Sequence, residues 1–363
     1  MTELLYAVKD CIAGGRPLTV AEGEELYACT DLLELGRLAE SVRHRLADGN
    51  CTLIRTRRIR YSNVCRNQCS YCAKAKRPGE EGAYQRTVEE VVDLVDEAIS
   101  LGFTQFQLAG GSSPSDELDY FLEMLSTLRA RFPKIHLQGF APAQLVNIAN
   151  AARLPSTEVL AQLREAGLDS LLEDGADIFD PAIRRVLCRT KATGGQWLQV
   201  MREAHGMGML GGASMLYGHY EGREEKIEHL CHLRDLQDET GRFTFYAPRT
   251  FRAENSLANA GALVGGVEDL REFAVGRIFL STFPHLRCYA NDLGMKTTQI
   301  ALNFGVDTVV VVTHDHEPLK DEDRAEAGLP NLPQLRELVE RAGLEIREGT
   351  LDQRLSPVAS SGS

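Results

Sequence analysis

Thr52-Leu53-Ile54-Arg55-Thr56-Arg57-Arg58-Ile59-Arg60-Tyr61 leads directly into Ser62-Asn63-Val64-Cys65-Arg66-Asn67-Gln68-Cys69-Ser70-Tyr71-Cys72-Ala73. The first ten residues read as a strand, entered from the breaker Asp48-Gly49-Asn50. The stretch after it carries three cysteines spaced C-x3-C-x2-C. Three thiolates are one short of a structural zinc site, which usually closes with four protein ligands. An iron–sulfur cluster is held by thiolates, and three of them leave one iron open to a small molecule. A zinc knuckle would have to draw its fourth ligand from Cys51, Cys188, Cys231 or Cys288, and ordinary buried cysteines are a third reading.

This strand-then-loop unit recurs. Seven further strands are expected at Thr104–Ala109, Ile135–Phe140, Asp169–Leu172, Gly212–Tyr217, Phe243–Ala247, Leu286–Ala290 and Asp307–Val312. Helical patterns fill the gaps: Val88, Val91, Val92, Val95 and Ile99 follow the helical period, and Ser156-Thr157-Glu158 opens a helix carrying Val159, Leu160 and Leu163. Ile227, Leu230, Leu233 and Leu236 line another helix, and Leu335, Leu338, Val339 and Ala342 the last. Eight strand–helix alternations predict an α/β fold, a (β/α)8 barrel of the TIM type. The unusual residues fall at or just after strand ends, where such barrels place their chemistry. No long linker or repeat divides the chain. The expected organisation is an N-terminal helical extension over 1–48, the barrel over 49–345 and a tail over 346–363 whose last residues are small and polar.

The 363 residues are 43% hydrophobic, enough for a large core, and the net charge of −12 argues against a nucleic-acid partner. No apolar run is long enough for a membrane span, and Met1-Thr2-Glu3-Leu4 does not open a signal peptide. Nine cysteines, three of them clustered, do not resemble a secreted disulfide framework; a reducing cytoplasm fits.

The strand-end clusters supply the candidate site. Gly110-Gly111-Ser112 lets a polar ligand approach backbone, or is a plain turn. Glu173, Asp174 and Asp177 are carboxylates able to accept from ribose hydroxyls, or form a solvated acidic turn, and Gln138 is a neutral candidate for the same pocket. His219 is placed to meet a substrate carboxylate or shuttle a proton, or is bonded to backbone. Arg249 is a candidate carboxylate clamp, or a surface ion pair. His314-Asp315-His316-Glu317 reads as a polar rim rather than a second metal site.

The cysteine spacing, with Tyr71 before the last cysteine, resembles the signature of the radical S-adenosylmethionine (SAM) enzymes. That resemblance implies a 4Fe-4S cluster on Cys65, Cys69 and Cys72, SAM as co-substrate chelated by the open iron, and an electron donor such as flavodoxin or ferredoxin. It also implies that Gly110, Gly111 and Ser112 meet the methionine end of SAM. Met215-Leu216-Tyr217-Gly218-His219-Tyr220-Glu221 is similar to the family element that supports adenine, which brings in Leu216 and Tyr217.

Arg164–Ser170, Ile178–Pro181, Trp197–Val200, Met215–His219, Leu233–Gly241 and Glu254-Asn255 resemble aminofutalosine synthase, whose relatives include the dehypoxanthine futalosine cyclase and the deazaflavin-forming synthases. The resemblance implies addition of a 5′-deoxyadenosyl radical to the enolpyruvyl double bond of 3-[(1-carboxyvinyl)oxy]benzoate, on the futalosine route to menaquinone. Three mouth segments depart from that pattern. Glu173-Asp174-Gly175-Ala176-Asp177 stands where the family has Gly-Gly-Gly-Ala-Glu, Ala290-Asn291-Asp292 replaces an apolar segment, and Thr308–His314 replaces a Gly-Thr-Val-Val-Glu-Glu run. Added acids are expected to repel a dicarboxylate. A paralogue acting on another small molecule, and a non-catalytic iron–sulfur or zinc protein, are the other readings.

Overall fold

The computed structural model describes residues 8, 10–11, 14–47, 49–67, 69–113, 118–251 and 264–352. Gln68, the matched Glu254-Asn255 and the small polar end of the tail lie outside the described residues.

Eight parallel strands form the wall of a barrel: β1 (Asn50–Ser62), β2 (Gln105–Gly110), β3 (His136–Gly139), β4 (Ser170–Leu171), β5 (Gly211–Tyr217), β6 (Phe243–Thr250), β7 (His285–Tyr289) and β8 (Thr308–His314). Their order is β4-β3-β2-β1-β8-β7-β6-β5, so β1 and β8 are hydrogen-bonded neighbours and the ladder opens only between β4 and β5. That gap is bridged after β4, where Leu216 N donates to Asp177 O at 2.8 Å and Ser214 Oγ donates to Glu173 O at 2.8 Å. All eight expected strands are present.

Alternation along the strands separates two cores. Leu53, Ile59 and Tyr61 of β1 point out to the helical shell, where Val91, Val95, Phe121 and Leu125 are buried. Ile54 points inward and packs with Phe245, Ala247, Tyr289, Val310, Val312 and Leu351 in a separate core that fills the barrel. Continuing from Ile54 by twos, Thr56, Arg58 and Arg60 lie on the inner face and climb toward the mouth.

The shell helices follow the apolar periodicities. Thr87 caps the helix Val88–Ser100 with a full capping box to Glu90, and its buried face is Val88, Val91, Val92 and Val95. Ser156–Glu165 buries Val159, Leu160 and Leu163, and Arg223–Thr240 buries Ile227, Leu230, Leu233 and Leu236. In the N-terminal extension, Val20–Ala28 and Leu32–Ala47 are helices that dock on the shell helix Gly266–Phe279. Tyr27 Oη donates to the buried Glu272 at 2.7 Å in that contact.

The segment expected as a tail from 346 behaves differently up to Asp352. Glu345–Glu348 is a ninth strand, β9, parallel to the start of β1, and Gln105 Nε2 donates to Gly349 O at 2.8 Å. Leu351 then closes the lower end, its carbonyl accepting from Arg287 Nη2 at 2.7 Å. No helix among the described residues is long and apolar enough to cross a membrane.

Candidate active site

The strand ends that carry β1, β2, β5 and β6 into their loops surround a cavity of about 410 Å³. Cys65, Cys69, Tyr71, Cys72, Gly110, Gly111, Ser112, Asp174, Asp177, Leu216 and Arg249 all line it. Most residues predicted from the sequence are therefore brought to one place.

Neighbouring backbone holds the cysteine loop from two sides. Toward β2, Arg66 N donates to Ser112 O at 2.7 Å. Toward the helix Pro181–Leu187, Ser70 N donates to Leu187 O at 2.8 Å, and Thr190 Oγ1 to Asn67 O at 2.8 Å. Gly111 is pressed against this loop so closely that a Cβ there would stand 2.1 Å from Val64 O and 2.8 Å from Cys65 Cβ. Glycine is required at that approach rather than merely tolerated. Burial pushes the Cys69 thiol up to about 11, so it keeps its proton until a positive centre draws a thiolate from it.

Tyr71 reaches across to the loop after β4. Its hydroxyl donates to Asp177 Oδ1 at 2.7 Å, and Lys191 Nζ donates to Asp177 Oδ2 at 2.8 Å and to Tyr71 Oη at 3.0 Å. Burial opposes ionisation of Asp177, but Lys191, then Arg184, outweigh it and hold the carboxyl well below the usual range. Asp177 has φ +51°, an uncommon left-handed conformation for a non-glycine residue, and the same contacts fix it there.

On the opposite wall, Arg249 Nε lies 2.9 Å from Asp292, its Nη1 3.6 Å from Glu173, and its guanidinium over the Tyr289 ring at 4.0 Å. Asp174 faces the cavity 3.5 Å from Arg58 and 3.8 Å from Arg249. Burial opposes its charge, yet Arg58, Arg249 and Lys191 keep it ionised below the ordinary carboxylate range. The acids that replace glycines after β4 are thus met by cations. Neither Glu173 nor Asp174 takes a positive φ, whereas Gly175 does at +89°, so the left-handed position has kept its glycine.

Four expected site residues fall outside the lining. His219 is buried: its Nε2 contacts Leu216 O at 2.8 Å, and its Nδ1 lies 2.7 Å from Glu221 and 2.8 Å from Tyr220 N. With both ring nitrogens engaged, it braces the turn after β5 and does not line the cavity. Tyr217 is also buried, its hydroxyl bonded to Thr250 at 2.8 Å and Asp269 at 2.6 Å. Gln138 lies inside the barrel, accepting from Gln107 Nε2 at 2.8 Å and donating to Leu171 O at 3.0 Å. Glu173 is fully buried against Tyr289, with Oε2 unpartnered. The lining includes instead Arg58, Arg60, Lys74, Gln144, Lys191 and Asp292. Arg58 and Arg60 carried a signal, since two residues of spacing puts them on the inner face with Ile54. Lys191 carried none, because the helix Pro181–Leu187 intervenes between it and Asp177.

The possible fourth zinc ligands Cys51, Cys188, Cys231 and Cys288 do not line the cavity, and no three His, Cys, Asp or Glu side chains among the described residues converge as a single-ion site. In His314–Glu317, Asp315 pairs with Arg86 and Glu317 with Arg324, as a polar rim does.

The sequence pattern of the Radical SAM superfamily matches residues 59–233. The aminodeoxyfutalosine synthase of Thermus thermophilus is 37% identical over 84% of this chain and 83% of its own length. The 5-amino-6-(D-ribitylamino)uracil--L-tyrosine 4-hydroxyphenyl transferase of Methanoculleus marisnigri is 30% identical over 97% of this chain and 98% of its own. The crystal structure of methylornithine synthase superimposes with a TM-score of 0.71 at 18% identity, covering 93% of this chain and 97% of that one, a likeness of fold. A parallel barrel with the three-cysteine loop at its mouth, and these relatives along nearly its full length, place the chain in the Radical SAM superfamily, enzymes that use a 4Fe-4S cluster and SAM.

Proposed function

We propose that the protein joins the adenosyl group of SAM to an enolpyruvyl ether, as an aminofutalosine synthase acting toward menaquinone. Cys65, Cys69 and Cys72 hold the cluster in this reading. Each thiolate of a cubane takes its own iron, so three cysteines that line one cavity suit a cluster. The bound cluster supplies the electron that cleaves SAM to methionine and a 5′-deoxyadenosyl radical.

The chain's own residues orient and enclose. Gly110, Gly111 and Ser112 present backbone to the methionine end of SAM beside the cysteine loop, and Leu216 supplies an apolar surface for adenine. Asp174, with its side chain 36% exposed, is the carboxylate available to ribose hydroxyls, since Asp177 is taken by Tyr71 and Lys191. Arg249 and Arg58 keep Asp174 ionised, and the barrel walls hold the alkene beside the nascent radical and exclude water. The substrate is 3-[(1-carboxyvinyl)oxy]benzoate, and the adduct would rearrange through the ring and lose carbon dioxide, a proton and one electron, the electron going back to the centre that supplied it.

The observation that carries this reading is the gathering of the three cysteines, Gly110–Ser112 and Leu216 around one cavity, in a chain 37% identical to an aminodeoxyfutalosine synthase. A second reading, transfer to another acceptor, draws on the 30% identity to the tyrosine hydroxyphenyl transferase and on the acids Asp174 and Asp292 at the mouth. The anaerobically reconstituted protein, given SAM, dithionite and 3-[(1-carboxyvinyl)oxy]benzoate, is expected to yield aminofutalosine by mass spectrometry. Formation of 5′-deoxyadenosine and methionine alone would leave the second reading.

A further inference from the structure

The charges that line the cavity are unevenly matched. Asp177 is taken by Lys191, Asp292 by Arg249, and Asp174 lies between Arg58 and Arg249. Arg60 and Lys74 are left over: among the described residues neither side chain has a hydrogen bond or an ion pair. Both also line a second cavity of about 320 Å³, which shares Arg58, Arg60, Asn63 and Lys74 with the first and is its annex. Of the remaining charges of the annex, Asp315 attracts both cations but forms an ion pair with neither side chain. Asp315 is held by Arg86, and Lys76 is matched by Glu80 at 2.9 Å. Burial, then Arg58 and Lys74, push His314 down to about 3, so it stands in the wall as a neutral ring. Behind these groups Arg58 donates through Nε to Gln107 at 2.9 Å, and its Nη2 faces Asp174 at 3.5 Å.

Position separates the annex from the end that SAM occupies. Gly110–Ser112 follow β2, on one side of β1, while His314, Asp315 and His316 follow β8, on the other. Two cations without an ion pair suit an anion where the ligand extends past β1 toward β8. The planar fork of Arg60 and the point charge of Lys74 suit a carboxylate.

We propose that Arg60 and Lys74, backed by Arg58, form a subsite for a carboxylate of the substrate, in the annex between β1 and β8. This rests on the reading that the substrate is an aromatic carrying two carboxylates, and it answers the acids of the mouth: those acids are already paired, so the unmatched charge that meets the substrate is positive.

The test is isothermal titration of isophthalate, an aromatic meta-dicarboxylate, into the reconstituted, SAM-saturated and unreduced protein. Neutral isophthalamide serves as the control. Isophthalate is expected to bind and isophthalamide not, with Kd raised at least about tenfold in Lys74→Met and in Arg60→Met. Lys74 lies on an exposed loop, so its variant is expected to melt with the wild type. Equal affinity in wild type and a folded Lys74→Met, or no binding to the wild type, overturns the subsite. A parallel titration without SAM completes the test: isophthalate binding present there and lost in the SAM-saturated protein also overturns the subsite, assigning the annex to the carboxylate of SAM. The two proposals fail separately. Aminofutalosine formed by Lys74→Met with unchanged KM removes the subsite and leaves the reaction standing. Variant-sensitive isophthalate binding without aminofutalosine formation leaves the subsite and removes the reaction.

Discussion

Tyr71, two residues from Cys69 and one from Cys72, donates its hydroxyl to Asp177 across the barrel mouth at 2.7 Å. This bond ties the cysteine loop after β1 to the loop after β4, and Lys191 locks it by donating to both partners. Tyr71→Phe is expected to cost about 1 kcal/mol, since Asp177 keeps Lys191. Lys191→Met leaves the buried Asp177 without its closest cation and is expected to cost about 3 kcal/mol. Urea denaturation of the two variants checks the order, and equal losses would contradict it.

Gly111→Ala places a methyl where Val64 O and Cys65 Cβ already stand. The cysteine loop, held mainly by hydrogen bonds to neighbouring loops, is expected to yield before the barrel wall does. Iron content after reconstitution should fall to a small fraction of wild type, with a stability loss of about 1–3 kcal/mol. Iron analysis beside a thermal melt measures both, and full iron loading would show that the loop absorbs the methyl.

His219→Ala is expected to act on stability. It removes a ring that contacts Leu216 O and Tyr220 N and leaves the buried Glu221 without that partner. A loss of about 3 kcal/mol follows from breaking a buried pair. Chemical denaturation measures it; a fully stable variant with lost product formation would return His219 to the substrate.

Glu221 and His229 contribute to the acid response alongside Asp177 and His314. Burial opposes the charge of Glu221, but the His219 hydrogen bond and charge lower its pKa from 4.5 to about 2. A depressed carboxylate gives stability that is present above the unfolded value and is lost as pH falls through the folded one. Burial lowers His229 from 6.5 to about 3 while it stacks on Phe179, so its neutral form is the folded form. Its contribution is present above pH 6.5 and is lost as pH falls toward about 3. Unfolding free energy should therefore decline below pH 6.5 and more steeply below 4.5. A urea series at stepped pH measures the slope, and Glu221→Gln should flatten its lower part.

The barrel was legible because each strand is a short apolar run followed by a cluster of polar residues, and the eight expected strands all form. β9 was not legible: Glu345-Ile346-Arg347-Glu348 is mostly exposed and polar, and only its pairing to β1 makes it a strand. At the mouth, Cys65, Cys69 and Cys72 could be read from local spacing, and Gly110 and Gly111 from the resemblance that this spacing carries. The partners of Asp177 could not, because Lys191 and Arg184 reach it through the fold rather than along a motif. Reading Glu173 and Asp174 as repulsive followed from their own charge, and Arg58 and Arg249, distant in sequence, neutralise them.

The central claim, that this mouth houses the cluster and SAM together, is tested most directly by electron paramagnetic resonance of the reconstituted, dithionite-reduced protein before and after SAM is added. The wild type is predicted to show a reduced-cluster signal whose shape changes with SAM, and Cys69→Ala to show no SAM-dependent signal. A wild-type signal indifferent to SAM, or a SAM-dependent signal retained in Cys69→Ala, would contradict the account.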